Sequence, residues 1–478
     1  MRKKENNIKN IIFNIKKNDV LSLVIITFVI EMIIYFLSPY IDKNILLFVI
    51  FTIAFSIVLL DKNNKNKYFY IIYLIGLLIR TNYIMSTSIY LRQHDVGLID
   101  KDGHLGYIYT IYKNFSLPEI QTGQFYHPPL WHILASIWLY INRLLRVDFN
   151  IALEGIQLLT LCLSSFSIII VKKICDNLKL KNKYTYLATL LFALHPSMII
   201  LSGSINNDML LTFLEILIIY ILIIWYEKTT IKNTIILALV TGLCVMTKIN
   251  GAVMAIPIMY IFIKKLISIY KEKHKIYDYL KKLVLFASIS LPIGLWFELR
   301  SIIKFKTIPV TLPGEAHYIG NIPLVNRFFT LNMQELFSLK EAIHNKNLLA
   351  QIIRTSILGE WEYPNIDIFG IILISINIIM IVISLLLMLR YFVKDRKNIV
   401  INILLITFIS FMISMFIYNY STPYSCSMDF RYIIVTLVPG IIIIAYELNK
   451  IKNKYIRILI ESVSYIFILL FGIFTLLY

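Results

Sequence analysis

The sequence predicts an all-α polytopic membrane protein with about 13 transmembrane helices and external juxtamembrane helices in its first large loop. Three observations predict it. Of the 478 residues, 58% are hydrophobic and the mean hydropathy is +0.74, against about 45–50% apolar residues in a soluble domain. The excess is gathered in repeated apolar runs close to the ~20 residues that cross a bilayer. Between these runs lie basic clusters at 62–67, 172–183, 264–275, 390–397 and 450–457, the signature of cytoplasmic loops.

The elements follow in order. The basic segment 1–19 precedes an apolar run, Leu21–Leu37, that lacks a small-residue cleavage site and reads as a membrane anchor. Spans near 20–38, 45–60 and 68–86, starting from an inside N-terminus, leave 87–130 outside. The next apolar segment, Leu130–Leu145, is short and carries His132, Asn142 and Arg143. A full crossing there would place the lysines of 172–183 outside, so it reads as an interfacial or re-entrant helix. Further spans are expected near 151–171, 184–203, 208–226, 232–247, 252–268, 281–298, 366–390, 398–418, 431–448 and 458–477. The C-terminus is then outside, and 299–365 forms a second large external segment. The chain divides accordingly into 1–86 (tail and first three spans), 87–147 (external catalytic loop with its interfacial helix), 148–298 (core spans), 299–365 (external substrate loop) and 366–478 (C-terminal spans).

The net charge of +19 does not point to nucleic acid, because its lysines and arginines sit between spans. Membrane topology and anionic headgroups account for them. The four cysteines, Cys162, Cys175, Cys244 and Cys426, are scattered without disulfide or metal-ligand spacing.

One stretch stands apart. Residues 92–132, RQHDVGLIDKDGHLGYIYTIYKNFSLPEIQTGQFYHPPLWH, hold four of the eight histidines (His94, His104, His127, His132) and the aspartates Asp95, Asp100 and Asp102. Hydrocarbon does not tolerate such a cluster, so it belongs at a water-facing surface beside the bilayer. The predicted threading sends Asn207 and Asp208, Lys248 of TKING, Arg300, and Asp429 and Arg431 to the same face. Carboxylates with cations at a bilayer surface suit a reaction on a lipid-linked anionic substrate. A carboxylate serves as base while Lys, Arg or His hold phosphate oxygens.

Five local patterns carry a family resemblance. An acidic residue, Asp95 or Asp102, precedes the turn His127-Pro128-Pro129-Leu130; Asn207-Asp208 opens a span; GLCVMTKINGAVMAIP fills 242–257; Trp296 and Arg300 stand before Pro309; and Phe430-Arg431-Tyr432 stands before Pro439. In this order they resemble the membrane-embedded polyprenyl-phosphate-sugar glycosyltransferases (GT-C type, family 39), which include protein O-mannosyltransferases and aminoarabinose transferases. The sequence departs from that pattern in placing three spans, two more than the family's usual one, before the first external loop. Its acidic motif reads HD…KDGH, so Asp95 and Asp102 both stand as candidates for the base.

The resemblance implies transfer of a sugar, with inversion, from a polyprenyl-phosphate (bacterial undecaprenyl-phosphate) donor to an acceptor hydroxyl at the outer face of the plasma membrane. Asp95 or Asp102 would act as general base, and Asp208 would orient the acceptor or a cation. His127, Lys248, Arg300, Arg431, His104 and His94 would bind the donor phosphate or substrate. Read locally, Asp208 also suits capping of its helix, Lys248 suits snorkelling, and His127 suits stiffening of the proline turn. The expected partners are the lipid-linked sugar, an acceptor protein, glycolipid or cell-wall polymer, and the bilayer, with no nucleic acid. No cofactor motif stands out, although His127 and His132 with Asp95 or His104 could hold a divalent metal. A lipid-linked glycan polymerase or ligase, and a transporter or flippase, are the rival readings. The second predicts mid-bilayer charges and inverted repeats, which the sequence does not display.

Overall fold

A computed structural model describes residues 19–62, 64–306, 320–340, 345–363 and 366–476. The basic tail 1–18, Pro309 of the fourth pattern, and 307–319, 341–344 and 364–365 of the segment expected to be external lie outside the described residues. Among the described residues every regular element is helical.

Among the described residues eleven helices are long and apolar enough to cross a membrane: Asp19–Leu37, Lys43–Leu60, Lys67–Ser86, Phe149–Asn177, Asp208–Glu227, Ile249–Ile269, Lys275–Phe305, Ile368–Lys394, Ile399–Ser421, Ser425–Leu448 and Lys454–Leu476. The helices Asn182–Ala193 and Pro196–Gly203, bent by 55° at their junction, make a twelfth when the pair is counted as one span. The break falls at His195-Pro196, where proline removes a backbone donor and forces the residue before it out of the helical region. The helix Ile231–Thr247 is apolar but shorter than a full crossing. With it, each apolar run expected from the sequence has a helical counterpart.

Burial divides these helices into an inner and an outer set. Asp208–Glu227 and Ser425–Leu448 are 72% and 78% buried, whereas Lys43–Leu60 is 22% buried. The outer helices turn side chains such as Phe48, Ile53 and Ile57 outward, as lipid-facing surfaces do. The inner helices begin at Asp208 and Ser425, so both deliver polar residues to one end of the bundle.

Two short helices lie over that end, His104–Asn114 and Leu130–Leu144. The second buries Trp131, His132, Ala135 and Leu139 and exposes Leu134, Ile137, Ile141 and Leu144. One apolar face meets the protein and another is free, as an interfacial helix requires. Pro128-Pro129 holds the chain out of a helix until Leu130.

Candidate functional site

The site is assembled from four connections between spans. The first is the loop after Lys67–Ser86. There the Gln93 side-chain amide donates to the Gly203 carbonyl (2.7 Å) and its oxygen accepts from the Ile205 N–H (3.0 Å). The amide pins His94 and Asp95 against the turn that leads to Asp208. The Asp95 carbonyl accepts from the His104 N–H at 3.0 Å. Asp95 itself adopts a left-handed backbone (φ 53°) and is half-exposed. Aspartate enters that region more readily than most residues.

The second and third connections bring Asp208 and Lys248 together. Asn207 donates through Nδ2 to the Thr247 carbonyl (3.0 Å), tying the start of one span to the end of another. Lys248 then reaches Asp208, Nζ to Oδ1 2.5 Å, with both side chains buried. Gly251 permits this turn, since a Cβ there would come within 2.7 Å of the Cys244 sulfur and 2.8 Å of its carbonyl oxygen. The Asp208 carboxylate is committed to cations, while the Asp208 N–H is satisfied by Asn206 Oδ1 at 3.0 Å.

The fourth connection supplies Arg431. Its guanidinium faces three carboxylates: Nη2 to Asp95 Oδ2 3.5 Å, Nη1 to Asp208 Oδ2 3.7 Å and Nε to Asp429 Oδ2 3.6 Å. Nη2 also donates to the Tyr432 hydroxyl at 3.1 Å. Lys248 and Arg431 both lie over the Tyr432 ring, at 5.1 and 5.0 Å from its centroid. Asp429 accepts from the Arg431 N–H (2.9 Å), fixing the turn from which the guanidinium projects. The Phe430 N–H donates to Thr355 Oγ1 (2.9 Å), anchoring that turn to the buried helix Leu348–Leu358.

Glu360 follows that helix and was not singled out by the sequence. Its Oε2 accepts from His94 Nδ1 at 2.9 Å, and His94 Nε2 stands 3.8 Å from Asp429 Oδ2. Trp361 packs on the His94 ring at 4.7 Å. Burial pushes the Glu360 carboxyl up, but His94, by charge and hydrogen bond, and Arg431 hold it below its ordinary range. Gln93, which braces the site, also escaped sequence reasoning, because its role rests on backbone groups of Gly203 and Ile205 far away in the chain.

The remaining histidines form a buried stack beside this cluster. His104 Nδ1 and His132 Nε2 share a hydrogen bond of 3.0 Å, and the two rings are nearly parallel with centroids 5.3 Å apart. His127 lies nearly parallel to His104 with centroids 5.5 Å apart, and Tyr107 stacks on His132 at 4.0 Å. Desolvation lowers the His104 pKa to about 3 and holds His127 and His132 well below their ordinary range. All three are neutral at physiological pH. They offer hydrogen bonds and ring faces, not charge.

Two residues expected at the site lie elsewhere. Asp102 faces a surface groove of about 540 Å³ with Lys101, Thr110 and Lys113. Its carbonyl accepts from the Gln124 N–H (2.6 Å), and only glycine fits at position 123, where φ is 52° and a Cβ would lie 2.3 Å from that carbonyl. Arg300 donates to the Pro118 carbonyl at 3.2 Å, and its neighbour Lys304 pairs with Glu119. Both bind within the loop 87–130 rather than in the Arg431 cluster.

An apolar cavity of about 380 Å³ begins at Phe430, the neighbour of Arg431, and is lined by Ile433, Met380, Gly440 and Phe467, with Asn377, Ser384 and His195 as polar members.

This architecture defines a class: a polytopic helical membrane protein with a charged cluster at one end of the bundle. Comparison with known proteins takes it one step further. Residues 127–296 match the family described as dolichyl-phosphate-mannose-protein mannosyltransferase. The match begins at His127 of the HPPL turn, ends at Trp296, and takes in Asp208 and Lys248. The match covers about a third of the chain, and it makes that stretch, which carries three of the five sequence patterns, similar to this membrane-embedded glycosyltransferase family. No curated protein matches significantly in sequence. Among solved structures, the chain is similar to the Archaeoglobus fulgidus oligosaccharyltransferase in three forms. The apo form shares 14% identity over 86% of this chain and 56% of that one, with a TM-score of 0.49. The complex with Zn and sulfate shares 14% over 84% and 53%, TM-score 0.49. The form tethered to an acceptor peptide containing the NVT sequon shares 13% over 86% and 55%, TM-score 0.49. This chain thus spans about half the length of those proteins.

Proposed function

We propose that the protein transfers a sugar from a polyprenyl-phosphate donor, undecaprenyl phosphate in a bacterium, to an acceptor hydroxyl. The observation that carries this reading is the convergence of Asp95, Asp208, Lys248 and Arg431 in one cluster, with an apolar cavity of about 380 Å³ reaching Phe430 next to Arg431. The cavity suits a lipid tail and the two cations suit its phosphate. Asp95 is the base in this reading: it is the half-exposed carboxylate of the cluster, open to an acceptor arriving from water. It takes the proton as the acceptor oxygen bonds to the anomeric carbon. The bond from that carbon to the phosphate oxygen breaks on the opposite side, giving inversion and releasing polyprenyl phosphate. Asp208 holds Lys248 and Arg431 in place. His127, neutral and with Nδ1 buried without a partner, offers a hydrogen bond to substrate. His94 belongs to the flanking Glu360–Asp429 group, where a divalent cation would sit. His104 keeps His132 and His127 in register. Asp102 and Arg300 shape the first external loop around the acceptor.

The reading places the chain in the plasma membrane with the site on the extracytoplasmic face. At the opposite end of the bundle, Arg390, Lys394, Lys450 and Lys452 gather around one groove, as the positive-inside rule asks of a cytoplasmic face. The acceptor is a protein, a glycolipid or a cell-wall polymer. The test incubates purified protein with radiolabelled polyprenyl-phosphate sugars and a membrane extract, beside Asp95→Asn, Asp102→Asn and Asp208→Asn. Transfer that is lost in Asp95→Asn and Asp208→Asn supports the reading. Transfer retained in all three removes the base assignment, and no transfer from any such donor by the wild type removes the reading itself.

A further inference from the structure

We propose that the groove at the basic end of the bundle binds one anionic phospholipid, its phosphodiester held by Arg390, Lys394, Lys450 and Lys452. The groove has a volume of about 720 Å³, within the roughly 300–1,000 Å³ of small-molecule sites. It lies where the spans Ile368–Lys394, Ser425–Leu448 and Lys454–Leu476 come together, the last two joined by the turn 449–453. Its wall changes character along the helix axis. On Ile368–Lys394 the lining residues Ile383, Leu386, Leu387, Arg390 and Lys394 recur at intervals of three or four, so they share one face. At 1.5 Å per residue that face runs about 16 Å from the isoleucine to the terminal lysine. On Lys454–Leu476, Ile456 and Ile460 continue the apolar half. An apolar trough with cations at its end matches a ligand that has a hydrocarbon tail and an anionic head.

The charge balance selects the head. Four cations line the groove and no carboxylate does. Arg390 faces Glu447, Nε to Oε2 3.4 Å, and Lys450 pairs with Asp395, which also accepts from the Tyr446 hydroxyl at 3.0 Å. Lys394 and Lys452 are exposed, and neither forms an ion pair among the described residues. Two positive charges are therefore uncompensated where the spans end and lipid headgroups begin. Basic pockets between spans take anionic headgroups in this way. A zwitterionic lipid would bring its own cation to a site already in excess of them. Inorganic phosphate would use the cations but leave the trough uncovered, with Leu386 60% and Ile456 49% exposed. The bound lipid links the end of Ile368–Lys394 to the turn 449–453. None of this rests on sugar transfer.

The test uses full-length protein, delipidated in detergent and titrated with phosphatidylglycerol or phosphatidylcholine of the same acyl chains. Bound lipid is counted by native mass spectrometry. One phosphatidylglycerol per chain should bind saturably, about tenfold or more tighter than phosphatidylcholine. Lys394→Gln/Lys452→Gln should weaken phosphatidylglycerol by about tenfold or more and abolish the preference. Both side chains are exposed, so this variant should melt with the wild type. Lys173→Gln/Lys181→Gln removes equal charge from a loop at the same end, where the Lys181 N–H donates to Asn449 Oδ1 at 3.5 Å, and should bind as wild type. Glycerophosphoglycerol, the same head without its tails, should fail to displace the lipid at about a hundredfold excess, because it buries no hydrocarbon. Equal affinity for the two lipids, or equal losses in the two double variants, overturns the site in favour of diffuse surface charge. Displacement by glycerophosphoglycerol overturns the lipid in favour of a soluble phosphodiester.

Discussion

Lys248 and Asp208 form a buried ion pair, Nζ to Oδ1 2.5 Å, across the mouths of two spans that Asn207 and Thr247 already tie together. Charges taken from water are stabilising only when they are paired. Removing one partner of such a pair costs about 3–5 kcal/mol, whereas replacing both is often nearly neutral. Lys248→Met should therefore destabilise the protein by about 3 kcal/mol, softened by the Arg431 contact to Asp208. The double variant Lys248→Met/Asp208→Asn should recover much of that loss. Melting of both in detergent checks the cycle; equal destabilisation of the single and double variants would show that the pair is not a coupled unit.

Asp95 separates catalysis from stability. Its side chain is half in water, so Asp95→Asn should change stability by no more than about 0.5 kcal/mol. Transfer should fall by about 10²–10⁴-fold, the usual worth of a positioned base. Asp102→Asn should leave turnover close to wild type, because its groove is lined by Lys101, Thr110 and Lys113 rather than by Arg431. Kinetics of the two variants decide the matter, and the reverse ranking would move the base to Asp102.

The histidine stack makes stability depend on acid. The folded pKa of His104 is lowered to about 3, and those of His127 and His132 lie well below the ordinary value. The unfolded chain therefore binds protons first as pH falls below about 6.5. Stability is complete above that pH and declines toward the folded pKa, by up to about 1.4 kcal/mol per pH unit for each histidine. Melting temperature measured from pH 7.5 down to 5 should fall steadily. A constant or rising value would mean that the stack carries charge in the folded state.

Gly440 offers a test of the apolar cavity. A Cβ there meets only Ser384 Oγ, at 3.4 Å, and both residues line the cavity. Gly440→Leu fills the space without loss of helix propensity, since leucine exceeds glycine in a helix by up to about 1 kcal/mol. If the cavity takes the donor's tail, KM for a long polyprenyl donor should rise while that for a short-chain analogue changes little. Equal effects on both donors would place the tail elsewhere.

The helices were legible in the sequence because hydrocarbon imposes its own length scale: each apolar run that could cross has a helical counterpart, down to the short Ile231–Thr247. The 55° break at His195-Pro196 was not read, since that run is continuous in hydropathy and only the proline marks it. Asp208, Lys248 and Arg431 stood out because charge at the end of an apolar run is costly and local. Asp95 and Asp102 remained equivalent in sequence, and only Arg431 distinguishes them, from 336 residues away. Glu360 was invisible for a related reason: nothing nearby sets it apart from Glu335 or Glu362, and its role comes from His94 and Asp429. Arg300 resembled a phosphate ligand by position but is held by the Pro118 carbonyl.

The Trp131 indole donates to the Ile205 carbonyl at 2.5 Å, and Ser136 on the same helix donates to the Ile108 carbonyl at 2.8 Å. Leu130–Leu144 is thus a lever with one side in lipid and the other hooked to the backbone three residues ahead of Asp208. A tilt of that helix in a thinner or stiffer bilayer would pull on the carbonyl it holds. Lipid composition would then set the working geometry of the carboxylate mechanically, with no effector binding anywhere on the chain.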